Sequence, residues 1–169
     1  QATAAADGSA AADNEKKTAP TLDIEEIKLA NGARLLLQPD DSLPNLHLRI
    51  CCAGGPCFEP AEQRGATALL ATLLTKDTKK RSSAEVARYV EEIGGSFYPF
   101  SGNNSFGLAV EVLPTDLDRA LDVLGEALLR PAFLAATVAT ERDAQLAALR
   151  EANDDVVAVG RKILRQKFF

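Results

Sequence analysis

The 169-residue chain predicts an α+β fold, an antiparallel-rich sheet backed by helices. Three observations carry this. Strand-like segments come first, and strands and helices then interleave without the regular strand–helix period of a parallel sheet. Leu46, Leu48 and Ile50 alternate with His47 and Arg49, the two-residue rhythm of a half-buried strand. Between Glu62 and Lys76, the residues Ala66, Leu69, Leu70, Leu73 and Leu74 recur at the spacing of one helix face.

Each element has its own signal. Residues 22–29 and 33–38 read as two strands joined at Asn31-Gly32, a pair suited to the positive φ of a tight hairpin turn. Residues 40–45 form a turn-rich loop, and 46–52 a third strand. The helix over 62–76 carries Ala68, Ala71, Thr72 and Thr75 behind its apolar face. Those side chains are small and uncharged, so that side invites close approach by another backbone. Ser82 or Ser83, with Glu85 completing a capping box, opens a second helix that runs to Ile93 and stops at Gly94-Gly95. Residues 96–101 and 106–113 make a hairpin around Gly102-Asn103-Asn104. Thr115 is the expected cap of a third helix, with Asp116 and Asp118 at its positive end and Pro131 beyond its close. Residues 134–153 predict an alanine-rich fourth helix, and 155–169 begin a fifth.

Composition narrows the function. With 46% hydrophobic and 25% charged residues, the chain can build a core and is not disordered throughout. A net charge of -5 without a basic block gives nucleic-acid binding no electrostatic support. No apolar run approaches the length of a membrane span. Residues 1–20 are alanine-rich and lack hydrophobic periodicity, so a flexible leader is expected there, ahead of one domain over 21–169. Methionine is absent even at position 1. An export signal removed upstream, with the bacterial periplasm as destination, and an arbitrary boundary are both open readings. The final RKILRQKFF stops inside a helical pattern, so the domain is expected to be truncated on that side.

Candidate chemistry is sparse. Cys51, Cys52 and Cys57 match no zinc-knuckle spacing. Neighbours on a strand point to opposite faces, so small buried hydrophobes plus one exposed thiol are expected. His47, the only histidine, lies four strand residues from Cys51, about 13 Å by the strand rise, which excludes a direct Cys–His dyad along the strand. The acidic pairs Glu91-Glu92 and Asp154-Asp155 read as solvated charge.

One segment is more specific. Gly65 to Thr78, GATALLATLLTKDT, resembles the metal helix of the M16 (insulinase/pitrilysin-like) peptidases, which runs close to G-L-A-H-F-L-E-H-M-L-F-K-G-T. The flanks are similar too. LANGARLLL resembles the opening hairpin, AGGPCFEPAEQRG the G-x-x-x-E-P-x-x-x-x-G approach, and EEIGGSFYPFSG the I-G-G-x-x-N-A-x-T strand. VLPTDLDRALDVLGEALLRPAF resembles the helix that follows, and Glu141-Arg142 opens the E-R-x-x-x-x-x-E that ends on the last zinc ligand. The resemblance covers residues 22 to 169 and implies an M16/LuxS-like metallohydrolase sandwich, as an incomplete repeat.

Laid over the H-x-x-E-H helix, the ligand and base positions hold Ala68, Ala71 and Thr72. The distant ligand position is Ala148, 76 residues after Thr72. Alanine offers no donor, and a lone hydroxyl is a poor zinc ligand. The chain is therefore expected to be no enzyme by itself and to hold no cofactor. The resemblance implies that it is the non-catalytic half of a heterodimeric M16 peptidase. Its partner would be a catalytic subunit carrying H-x-x-E-H and zinc, and this half would close the chamber and help position peptide. A non-proteolytic scaffold or assembly subunit is the alternative. In the family, peptide lies along an exposed strand by β-augmentation. The matching residues are Phe97, Tyr98, Pro99, Phe100 and Ser101, where Tyr98 and Pro99 replace the family's Asn and Ala. Proline blunts a sheet edge, so peptide holding and a protected, unused edge are both open.

Overall fold

The computed structural model describes residues 23–168; the leader expected over 1–20 lies outside them. The chain divides into two compact units, at Leu43 and Pro44.

The first unit is a hairpin of β1 (Glu25–Lys28) and β2 (Arg34–Leu37), antiparallel with Ile27 opposite Leu35. Gly32 takes φ +86°, which glycine adopts without strain, and the Asn31 side chain accepts the Ala33 N–H at 3.0 Å. The turn is as predicted, and the strands are shorter than the hydrophobic pattern suggested.

The second unit holds the core. Its sheet is formed by β3 (Leu46–Ala53), β4 (Ser96–Ser101) and β5 (Ser105–Val112), in the antiparallel order β3-β5-β4. The register places Leu48 and Phe97 on either side of Val110, and His47 and Ser96 on either side of Glu111. The two faces therefore separate cleanly. Leu46, Leu48, Ile50, Phe97, Phe106, Leu108, Val110 and Val112 form one apolar face, with Leu108 and Val110 fully buried. His47, Arg49, Cys51, Tyr98, Phe100 and Glu111 lie on the other.

Five helices follow from the caps and stops in the chain. They are α1 (Ala66–Leu74), α2 (Ser83–Glu91), α3 (Leu117–Leu129), α4 (Ala135–Asp154) and α5 (Val156–Phe168). Leu74 of α1, Val86 and Val90 of α2, and Ala120, Val123, Leu124 and Ala127 of α3 close over the apolar face. The Ser82 N–H donates to Glu85 at 2.8 Å, as the capping box predicts. Asp155 caps α5 through the Val157 N–H at 2.8 Å, so this member of an acidic pair has a structural task.

Two helix starts differ from expectation. Helix α1 begins four residues late, because Gly65 turns left-handed at φ +94° and separates it from a 3-10 turn at Ala61–Gln63. Thr115 does not cap α3. Its hydroxyl donates to Asp116 at 3.1 Å, and a 3-10 turn over Pro114–Asp116 leads into the helix.

The helices are tied together where α1 ends. Asp77, 7% exposed, accepts the Ser83 N–H of α2 at 2.8 Å and the Thr137 hydroxyl of α4 at 2.5 Å. Its own carbonyl accepts the Ala132 N–H at 2.9 Å. Next to it Thr78 bridges to Pro131, and its hydroxyl accepts the Arg81 N–H at 2.9 Å. Glu126 of α3, 6% exposed, meets Lys80 at 2.8 Å and Arg81 at 2.6 Å. These two contacts are close ion pairs and not well-aligned hydrogen bonds. Arg81 also pairs with Asp122 at 2.8 Å and stacks over Tyr89 at 4.0 Å. The Arg81 bond holds the Asp122 carboxyl below the usual range.

Replacing Asp77 leaves a half-buried N–H and a half-buried hydroxyl without their acceptor. Asp77→Ala is expected to cost about 2–3 kcal/mol, measured as a lower urea midpoint at unchanged slope. A variant as stable as the parent would show that Asp77 does not tie these helices together.

Candidate functional site

The site is organised by the segment entering α1. Glu59 reaches forward to accept the Gly65 N–H and the Thr67 N–H, each at 2.7 Å. It thus supplies the acceptor that the first turn of the helix lacks, and its charge suits the positive helix end. The Thr67 hydroxyl and these two N–H groups hold the Glu59 carboxyl below its ordinary pKa. The Thr67 hydroxyl also accepts the Gly55 N–H at 3.3 Å. Gly55 must be glycine twice over. Its φ is +99°, and a Cβ there would stand 2.4 Å from the Gly102 carbonyl oxygen. With the Cys57 N–H donating to Asn103 at 3.0 Å, the approach loop is pinned to the β4–β5 turn. The start of α1 is thereby fixed beside the end of strand β4.

Helix α4 flanks α1. The Gln145 amide donates to the Gly65 carbonyl at 3.1 Å, and Lys76 pairs with Glu141 at 2.8 Å. The expected small face of α1 is not a solvent face. Ala71 is 1% exposed, more buried than Leu70, while Ala66 on the expected core face is exposed. Ala68 and Thr72 are half-buried, and the Thr72 hydroxyl donates to the Ala68 carbonyl at 3.1 Å. Ala148 is exposed on α4, three residues beyond Gln145.

The four positions do not fit a zinc ion. A catalytic zinc needs three nitrogen, sulfur or oxygen donors from the protein and an open position. Here three side chains end in a methyl group, and the fourth spends its hydroxyl proton on a backbone carbonyl. Among the described residues, no group of three or more His, Cys, Asp and Glu is placed to hold a metal.

Strand β4 pairs with β5 on one side and, among the described residues, with no strand on the other. The Gly102 N–H donates to Ser105 at 2.7 Å, which makes these two a bonded pair. Alternation along an antiparallel ladder then turns the backbones of Phe97, Pro99 and Ser101 toward the open edge. Pro99 removes one N–H from that edge. The N–H groups of Phe97 and Ser101 and all three carbonyls remain.

On the outer face of the sheet, Tyr98 donates to Glu111 at 2.7 Å, with His47 Nε2 at 3.4 Å from the Tyr98 hydroxyl. The bond to Glu111 pushes the Tyr98 phenol above its ordinary pKa. Arg49 stacks over Phe100 at 3.8 Å, and the Phe100 ring occupies the space a Cβ on Gly107 would need. His47 is the surface strand histidine expected of it. The cysteine expectation is corrected. Cys51 and Cys57 are both exposed and only Cys52 is half-buried, because Cys57 sits in the loop and not under it.

Residue reading missed Glu59 as the anchor of α1. Its signal was a carboxylate six residues before Gly65, ahead of a proline, in reach of the first helical N–H groups.

An antiparallel sheet with an anchored helix beside an open edge strand, flanked by a second long helix, defines an M16-type metallohydrolase fold. The family profile described as insulinase, peptidase family M16, matches residues 34–169, and the chain belongs to that family. It is 26% identical over 141 residues to an uncharacterised zinc protease of Mycobacterium leprae, covering 83% of this chain and 32% of that protein. It is 32% identical over 112 residues to a probable mitochondrial-processing peptidase subunit alpha-2 of Arabidopsis thaliana, covering 66% of this chain and 22% of the other. A crystal structure of a peptidase M16 inactive domain from Pseudomonas fluorescens superposes with a TM-score of 0.72 at 20% identity, over 79% of this chain and 33% of that one. The chain thus spans about a third, or less, of the length of these relatives.

The Glu59 anchor predicts a pH signature. Its folded pKa is depressed, so its contribution is present above the ordinary value of 4.5 and is lost as pH falls through the folded value. Glu59→Gln is expected to lower Tm at neutral pH and to flatten the acid-side fall of Tm, read by calorimetry at several pH values. Parallel acid limbs for the two proteins would show that Glu59 does not anchor α1.

Proposed function

We propose that this chain is the non-catalytic half of a heterodimeric M16-type zinc peptidase. The single observation that supports this most is the donor set of an otherwise intact metal helix. Glu59, Asp77 and α4 hold α1 in place, yet Ala68, Ala71, Thr72 and Ala148 offer no ligand set and no general base. The likeness to a protein named as a mitochondrial-processing peptidase subunit agrees with a partnered role. In this reading the catalytic subunit carries H-x-x-E-H and the zinc. This chain closes the chamber and helps position peptide through the open edge of β4.

The test is reconstitution. Purified alone, the chain should hold no stoichiometric zinc and should not cleave a quenched fluorescent peptide. Mixed with an H-x-x-E-H subunit from the same cells, it should raise turnover at least tenfold over that subunit alone, and a zinc chelator should abolish the activity. Zinc-dependent cleavage by the isolated chain would overturn the proposal. Assembly only with non-proteolytic proteins would replace it with the scaffold reading.

A further inference from the structure

We propose that the groove beside the start of β4 is a side-chain pocket for one aliphatic residue of an extended peptide, the residue that pairs with Phe97. This rests on the reading of β4 as a peptide-holding edge and adds which peptides it holds.

The groove has a volume of about 320 Å³ and lies between the end of α1, the length of α2 and the first residues of β4. Val86, 3% exposed, and Val90, 5% exposed, contribute apolar wall, and Phe97 borders it from the strand. Thr75, Ser83 and Ser96 contribute short uncharged groups. Two charged residues reach it. Lys76 is neutralised by Glu141 at 2.8 Å, whereas Glu91 is exposed and in no ion pair among the described residues. The remaining charge at the mouth is negative, so an acidic side chain is disfavoured.

Edge geometry aims one peptide residue into this space. Phe97 turns its N–H and carbonyl toward the open edge, so a peptide residue directly opposite exchanges two hydrogen bonds with it. Directly opposed residues on neighbouring strands point to the same face. Phe97 points to the helix-covered face, where the groove is. The residue held most firmly by the backbone is thus the one whose side chain enters the groove. Two positions along, Pro99 returns one hydrogen bond where another residue would return two. Affinity then depends on the groove more than on the ladder.

The experiment uses the full chain, with its catalytic partner where one assembles, and three labelled hexapeptides, Thr-Thr-Xaa-Thr-Thr-Thr, with Leu, Ala or Glu as Xaa. Binding is read by fluorescence anisotropy. The Leu peptide is expected to bind about tenfold more tightly than the Ala peptide, with Glu weakest. Ala87→Phe, at an exposed α2 position lining the groove, should abolish the Leu preference. Pro99→Thr should tighten all three peptides alike. Equal binding of the Leu and Ala peptides would overturn the pocket and leave the edge reading standing. No binding of any peptide, even to Pro99→Thr, would overturn both.

Discussion

Helix α1 is clamped at both ends by carboxylates, and the rest of the second unit depends on that clamp. Glu59 takes the N–H groups of its first turn. At the far end Asp77 is shared with the starts of α2 and α4. These are charge-assisted hydrogen bonds of 2.7 to 2.8 Å from backbone N–H groups. Their placement matters because they fix the ends of the segment lying between the sheet edge and α4. A helix start buried without such an acceptor would leave its first N–H groups unsatisfied, at about 1–3 kcal/mol each.

The clamp separates scaffold from chemistry. In a metal helix, the same backbone must present ligands on one side and pack on the other. The residues that hold this backbone, Glu59, Asp77 and Gln145, are distinct from Ala68, Ala71, Thr72 and Ala148. Ala71, at 1% exposure, is packed as core.

Much of the architecture was legible in the residues. The Asn31-Gly32 turn, the Ser82–Glu85 capping box, the alternation of β3 and the stop before Pro131 all fold as local chemistry dictates, and the motif spacing pointed to the family. Local rules failed where tertiary contacts overrode them. Periodicity ranks leucines above alanines, so it placed the apolar face of α1 without Ala71, which is buried together with Leu73 and Leu74. Gly65 could have continued a helix, but anchoring by Glu59 favoured the left-handed turn. Thr115 was a sound cap candidate until Pro114 set a 3-10 entry. At the edge strand, Pro99 was legible as a lost donor. That it removes only one of the six edge groups required the register.

In the proposed heterodimer, this M16 fold works beside a zinc that its partner holds. Native mass spectrometry with metal analysis, on the protein captured from its own cells, tests this most directly. The expected result is a complex with a second chain carrying H-x-x-E-H and one zinc per pair, the zinc leaving with that partner when the complex is split. A monomer or homodimer retaining one zinc per copy of this chain would contradict it.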